Sequence, residues 1–276
     1  LPMIAALERS TQLILILLLT TVIHAVETSA YAARLAGVRT GHPALARSLY
    51  NVLSLGARSA YVLSGLLLGG MTDLAVAQQN VDKLLRIYRL VLLGASTGTL
   101  LAALLLPTLS RLIARGVASY AERGSLPRVI VRATSVRGIW RMRKAWKAPD
   151  PESVRESRRS PFPKRFLIAS ILVTAIYTVS NPAALYASAL IPEGARTAGS
   201  LTPLINAFGT LLMIFVVDPI AALINDQALT RNRPLRDATY VTIWQLGARF
   251  VGTLLSQILL LPTGTLLAIF TRWLVQ

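Results

Sequence analysis

Apolar residues fall into six long runs, separated by turns that collect the charges. The runs are about Thr11–Tyr31, Leu45–Gly69, Leu90–Leu109, Phe166–Leu190, Leu201–Ile224 and Thr239–Leu261. Each is close to the roughly 20 apolar residues that cross a bilayer as a helix. The pattern predicts an all-α polytopic membrane protein of about six spans. The third helix is expected to continue toward Tyr120. A tail from Thr263 to Gln276 follows Pro262 and is apolar enough either to re-enter the bilayer or to lie on it. Three regions follow: residues 1–110 with three spans, 111–165 as a basic loop, and 166–276 with three spans and the tail.

Polar residues inside the runs are periodic. Thr20, His24, Glu27, Tyr31 and Arg34 recur at steps of three and four, so they share one helical face. Asn51, Ser54, Arg58, Tyr61 and Gly65 do the same in the second span. Charges in hydrocarbon are costly and point to function. Arg58 lies more than a turn inside its run, so it is expected to pair with an acid or line a wet cavity, and Glu27 is the nearest acid. Spans five and six echo this design. An offset of 191 carries Glu27 onto Asp218, Pro43 onto Pro234, and Leu55-Gly56-Ala57-Arg58 onto Leu246-Gly247-Ala248-Arg249. It also carries the second stripe onto Thr242, Gln245, Arg249, Gly252 and Ser256. These hairpins would form a parallel repeat about an axis along the membrane normal. Glu27 would then hold Arg58 and Asp218 would hold Arg249 across a central cavity, with Arg34 and Arg39 at its mouth. The alternative is that each pair only locks two helices together.

Weaker features leave two readings each. Asn181-Pro182 and Asp218-Pro219 either bend their helices or break them. Asn225-Asp226 either caps a helix or contacts Arg34 or Arg39. His24 either relays protons or makes an interhelical hydrogen bond. Arg86, Tyr88 and Arg89 are expected to anchor an interface.

Composition agrees with the pattern: 54% of the 276 residues are hydrophobic and the mean hydropathy is +0.56. The absence of cysteine excludes disulfides and thiolate metal sites. No small-residue cleavage site closes the Leu13–Leu19 run, so no signal peptide is expected there. A net charge of +17 invites a nucleic-acid reading. The spans argue against it, because the loop from Ser110 to Arg165 alone holds 15 Lys and Arg against 4 Asp and Glu. That asymmetry predicts a cytoplasmic loop in contact with anionic lipids. Alternation then places Arg34–Arg47 and Asn225–Asp237 inside and both termini outside. Within the loop, Ile113–Tyr120 and Val129–Trp146 mix apolar residues with arginine at helical spacing. Trp140, Arg141, Arg143, Lys144, Trp146 and Lys147 suggest an amphipathic helix on the leaflet. Pro149–Pro163 reads as a polar linker.

No phosphate-binding glycine loop, HExxH or Ser/His/Asp set is recognisable, and two histidines make no metal cluster, so no cofactor or metal is expected. Membrane-embedded guanidinium suits phosphate or pyrophosphate, being planar, permanently charged and bidentate. The residues alone thus indicate a transporter of an anionic amphiphile. A membrane enzyme on a polyprenyl-linked phosphate and a scaffold for envelope assembly are the alternatives, and a homodimer with a shared cavity is compatible with the pattern.

The stretches His24-Ala25-Val26-Glu27, Tyr31-Ala32-Ala33-Arg34-Leu35-Ala36-Gly37-Val38-Arg39-Thr40, Ser48-Leu49-Tyr50-Asn51 and Arg58-Ser59 resemble the Amj family of bacterial lipid II flippases, named as the alternate to MurJ. Asp218-Pro219, Asn225-Asp226 and Leu246-Gly247-Ala248-Arg249 through Gln257 are similar too. The resemblance covers most of the chain and is weakest in the basic loop and tail. It implies a flippase of the bacterial inner membrane, not an enzyme. Its cargo would be undecaprenyl-pyrophosphate-linked disaccharide-pentapeptide, carried to the outer leaflet. Joined to the reading above, it assigns Arg34, Arg39, Arg58, Arg249, Asn51 and Tyr31 to the substrate. Glu27, Asp218, His24 and Asp226 are assigned to charge pairing or proton exchange.

Overall fold

The computed structural model describes residues 2–124, 135, 144–160 and 162–276. Among them the chain forms helices and no strand. Helix α1 spans Pro2–Thr40, α2 Pro43–Ala77, α3 Val81–Leu104 and α4 Leu106–Arg123. A short α5, Pro151–Arg159, precedes α6, Lys164–Leu190. Then come α7 (Ala195–Gly199), α8 (Thr202–Leu212), a π-helical segment Met213–Val217, α9 (Asp218–Leu229) and α10 (Leu235–Val275). Six stretches are long and apolar enough to cross a membrane: Ser10–Thr40, Pro43–Ala77, Val81–Leu104, Lys164–Leu190, Pro192–Leu229 and Leu235–Val275. The expected six spans are therefore present, with longer helices than the apolar runs alone marked.

The α1–α2 turn follows from its residues. Gly41 takes a left-handed φ of 75°, which glycine adopts without strain. The His42 and Gly41 amides then donate to the carbonyls of Gly37 and Val38, closing α1 with a Schellman motif. Pro43 opens α2, where a missing N–H costs nothing. A Cβ on Gly37 would lie 2.8 Å from Pro43 Cα, so only glycine allows this tight hairpin.

Packing between helices is close. Gly94 and Gly98 of α3 face α1, where Thr21 Oγ1 donates to the Gly94 carbonyl at 3.2 Å. A Cβ on Gly98 would come within 2.1 Å of the Thr21 carbonyl oxygen. This is a Gly-x-x-x-Gly contact of the kind that packs membrane helices. Gly252 of α10 meets the Ile171 carbonyl of α6 in the same manner. One core gathers Ile16, Leu84, Tyr88, Leu92, Val179 and Leu260. Another lies at the Thr40 end, where Leu106, Ile113 and Val117 of α4 pack on Ala32, Ala36 and Leu49.

Several expectations are corrected. The third helix ends at Leu104, and α4 restarts as a separate helix with Pro107 in its first turn. The tail is neither a re-entrant nor a surface segment, since α10 runs unbroken through Pro262 to Val275. Pro182 likewise leaves α6 continuous, and neighbouring helices make such prolines tolerable. Tyr88 is not an interface anchor: it is fully buried and its hydroxyl bonds Thr72 Oγ1. The polar linker contains α5. Asp150 caps it by accepting from the Glu152 and Ser153 amides. The helix docks on α10 through Tyr240 Oη donating to Glu156 and Trp244 Nε1 donating to the Ser157 carbonyl. Of the amphipathic helix expected at Trp140, Arg141, Arg143, Lys144, Trp146 and Lys147, the first three residues lie outside the described residues, and the last three are not helical: Lys144 is in a turn and Trp146 and Lys147 are in irregular chain.

Candidate functional site

The polar stripe of α1 lines a string of cavities. One, about 580 Å³, lies at the Thr40 end between α1, α2 and α9. Helix α1 contributes Arg34, α2 contributes Arg47, Tyr50 and Asn51, and α9 contributes Asp218 and Asn225. Ala30, Ala33 and Ala222 keep the walls low. Arg34 donates to Asp218 Oδ1 at 3.2 Å, with the two side chains 35% and 47% exposed. Its guanidinium lies 5.9 Å from the centroid of the Tyr31 ring, within cation–π range. Asn225 Oδ1 is buried and has no donor among the described residues.

Asp218 owes its position to the helix around it. The π-helical turn Met213–Val217 inserts an extra residue into the register just before it. Such π turns favour functional positions. Pro219 sits in the first turn of α9, so the expected break at Asp218-Pro219 takes the form of a register change rather than an open gap.

Further along α1 a cavity of about 200 Å³ is lined by His24, Glu27, Tyr61, Tyr177, Asn206 and Arg249. Arg249 donates to Glu27 Oε2 at 2.6 Å and to Thr28 Oγ1 at 3.0 Å. His24 Nδ1 and Asn206 Oδ1 are buried without partners among the described residues. The interhelical bond considered for His24 is therefore not made through Nδ1. A smaller cavity of about 50 Å³ shares His24, Tyr61 and Tyr177 and reaches Asn181 and Pro182.

The ion pairs are crossed relative to expectation. Glu27 pairs with Arg249 of α10, not Arg58, and Asp218 pairs with Arg34, not Arg249. Helix α10 touches α1 and brings the shielded Arg249 to Glu27, whereas Arg58 falls on the exposed side of α2 although α2 packs along α1. The two hairpins thus do not make the corresponding pairs a parallel repeat calls for. Arg58 is exposed and forms no ion pair with a described carboxylate. Arg39 points from the other side of α1 into a separate cavity, donating to Ser110 Oγ at 3.5 Å and Thr239 Oγ1 at 3.2 Å. Asn225-Asp226 caps nothing, because α9 continues to Leu229. Asn225 lines the Arg34 cavity, while the Asp226 side chain is exposed and pairs with neither Arg34 nor Arg39.

The structure thus unites Arg34, Asn51 and Asp218, with Tyr31 beneath the guanidinium. It separately unites His24, Glu27 and Arg249. Arg47 and Tyr50 were passed over in the sequence, although Arg47 precedes Asn51 by four residues and so shares its face. Asn206 was also missed, and its signal was a lone amide inside an apolar run. Among the described residues no three His, Asp or Glu side chains cluster as metal ligands.

Comparison with known proteins bears on this arrangement. The family described as Amj, alternate to MurJ, matches residues 19–271. The lipid II flippase Amj of Bacillus subtilis (strain 168) is 30% identical over 271 residues, covering 96% of this chain and 98% of that protein. No solved structure matches. With a match that spans every cavity above, the chain belongs to the Amj family.

Proposed function

We propose that this multi-pass membrane protein is a lipid II flippase, a transporter rather than an enzyme. Its cargo is undecaprenyl-pyrophosphate-linked peptidoglycan precursor, moved from the cytoplasmic to the outer leaflet of the bacterial inner membrane. Family membership and the named relative support the activity. The observation that carries the mechanism is the 580 Å³ cavity holding Arg34, Arg47 and Asp218. The excess of Lys and Arg between Ser110 and Arg165 argues that this cavity opens toward the cytoplasm.

Pyrophosphate presents several anionic oxygens, and a guanidinium binds such groups in a plane with two donors. In the resting state Asp218 occupies Arg34. An incoming pyrophosphate displaces that carboxylate, taking Arg34 and Arg47, with Asn51 and Tyr50 as neutral donors. Release on the far side returns Arg34 to Asp218. The acyl chain stays in lipid throughout. Arg249 and Glu27 lie deeper on the same α1 face, where the pair supports the helices around the route.

The test is complementation of bacteria depleted of their own lipid II flippase, with outer-leaflet lipid II scored directly at matched membrane levels. Wild type is expected to rescue and Arg34→Gln to fail. A well-expressed wild type that does not rescue removes lipid II as cargo. Phosphate release from a polyprenyl pyrophosphate by the purified protein would instead establish a lipid phosphatase.

A further inference from the structure

A cavity of about 360 Å³ lies on the opposite side of α1 from Arg34, within the roughly 300–1,000 Å³ of small-molecule sites. Its lining joins the cations Arg39, Arg111 and Lys147 to the apolar Leu100, Leu104 and Phe250. None of these three cations forms an ion pair with a described carboxylate. Among the described residues, Arg39 has as hydrogen-bond partners the hydroxyls of Ser110 and Thr239. Among the described residues the lining holds one acid, Asp150, which is engaged in capping α5. Hydrogen bonds from the Ser153 hydroxyl and the Glu152 amide, with Lys147 close by, hold it below the usual carboxylate range. The lining therefore keeps a surplus of positive charge.

The site is built rather than incidental. Thr108 Oγ1 donates to the Lys147 carbonyl at 3.1 Å and accepts from the Lys147 amide at 3.0 Å. That pair of hydrogen bonds to one hydroxyl fixes the Lys147 backbone on α4 beside the cavity. Leu100 and Leu104 are 42% and 49% exposed, so the apolar part of the lining opens along the outer face of α3. Gly247 lines the cavity, and a Cβ there would meet nothing within 4 Å.

We propose that this cavity binds an anionic phospholipid, its phosphate against Arg39, Arg111 and Lys147 and one acyl chain against Leu100, Leu104 and Phe250. A headgroup phosphate supplies the missing counter-charge, and the chain covers the exposed leucines. The site is independent of the translocation cavity and is scored by binding, not by transport.

The experiment is native mass spectrometry of the full chain in neutral detergent, titrated with phosphatidylglycerol or phosphatidylcholine. Two variants are compared, Arg111→Gln/Lys147→Gln, which removes headgroup charge, and Gly247→Leu, which fills the slot and leaves the charge. Wild type is expected to retain phosphatidylglycerol over phosphatidylcholine. Each variant is expected to weaken phosphatidylglycerol by about tenfold or more, the charge variant by losing at least one charge-assisted contact and Gly247→Leu by excluding the acyl chain. Equal retention of the two lipids, or unchanged affinity in the folded variants, overturns the proposal. Loss in the charge variant alone, with inorganic phosphate displacing the lipid, overturns it in favour of a free-anion site. Preferential binding of undecaprenyl pyrophosphate, abolished by Gly247→Leu, overturns it in favour of a station on the substrate route.

Discussion

Two ion pairs tie distant helices together along one face of α1, and their surroundings differ. Arg249 meets Glu27 at 2.6 Å, has a second bond to Thr28, and is only 14% exposed. Arg34 meets Asp218 at 3.2 Å by a single contact, is 35% exposed, and borders a cavity almost three times larger. A shielded, doubly bonded arginine is a brace, because freeing it strands charge away from water. An exposed, singly bonded one gives up its partner cheaply, since such pairs contribute only about 0–1 kcal/mol. The same chemistry serves as mortar in one place and as a latch in the other.

The contrast is tested most severely by neutralising both members of the latch. Arg34→Gln/Asp218→Asn is expected to lower lipid II translocation more than about tenfold, the loss of a charge-assisted contact, while detergent unfolding shifts by less than about 1 kcal/mol. Transport near wild type would make the latch another brace. Next in size is Arg249→Gln, expected to destabilise the fold by about 1.5–3 kcal/mol, the range for hydrogen bonds to charged groups. The double neutral variant Glu27→Gln/Arg249→Gln is expected to recover part of that loss, read as a coupling energy in a double-mutant cycle. Zero coupling would sink the brace. The smallest effect belongs to Arg58→Ala, expected within about 0.5 kcal/mol of wild type and transport-competent, because Arg58 is exposed and unpaired with the described carboxylates. A loss of rescue there would restore Arg58 to the substrate route.

The spans and the α1 stripe were readable because hydropathy and a 3.6-residue period are local properties. Thr20, His24, Glu27 and Arg34 line cavities for that reason. Partner choice was not local. Glu27 and Arg249 lie 222 residues apart, and their meeting depends on α10 reaching α1. The 191-residue offset suggested a symmetric exchange, yet matching sequence spacing does not set which helices become neighbours. Pro262 misled in the tail because its lost hydrogen bond is tolerated within a packed bundle. The docking of α5 was half visible: Asp150-Pro151 is a helix-start signal, but its anchors, Tyr240 and Trp244, come from the far side of the chain.

The glycine seam between α1 and α3 fixes where movement can occur. With Gly98 set against the Thr21 backbone so closely that one methyl would not fit, the two helices cannot slide past each other without parting. They behave as a single spine. Arg34 rides on that spine, whereas Asp218 rides on a limb jointed by the π turn. Widening the space between them therefore asks α9 to swing while the spine stays still. The protein resembles a jaw more than a rocker, with one fixed plate and one articulated one.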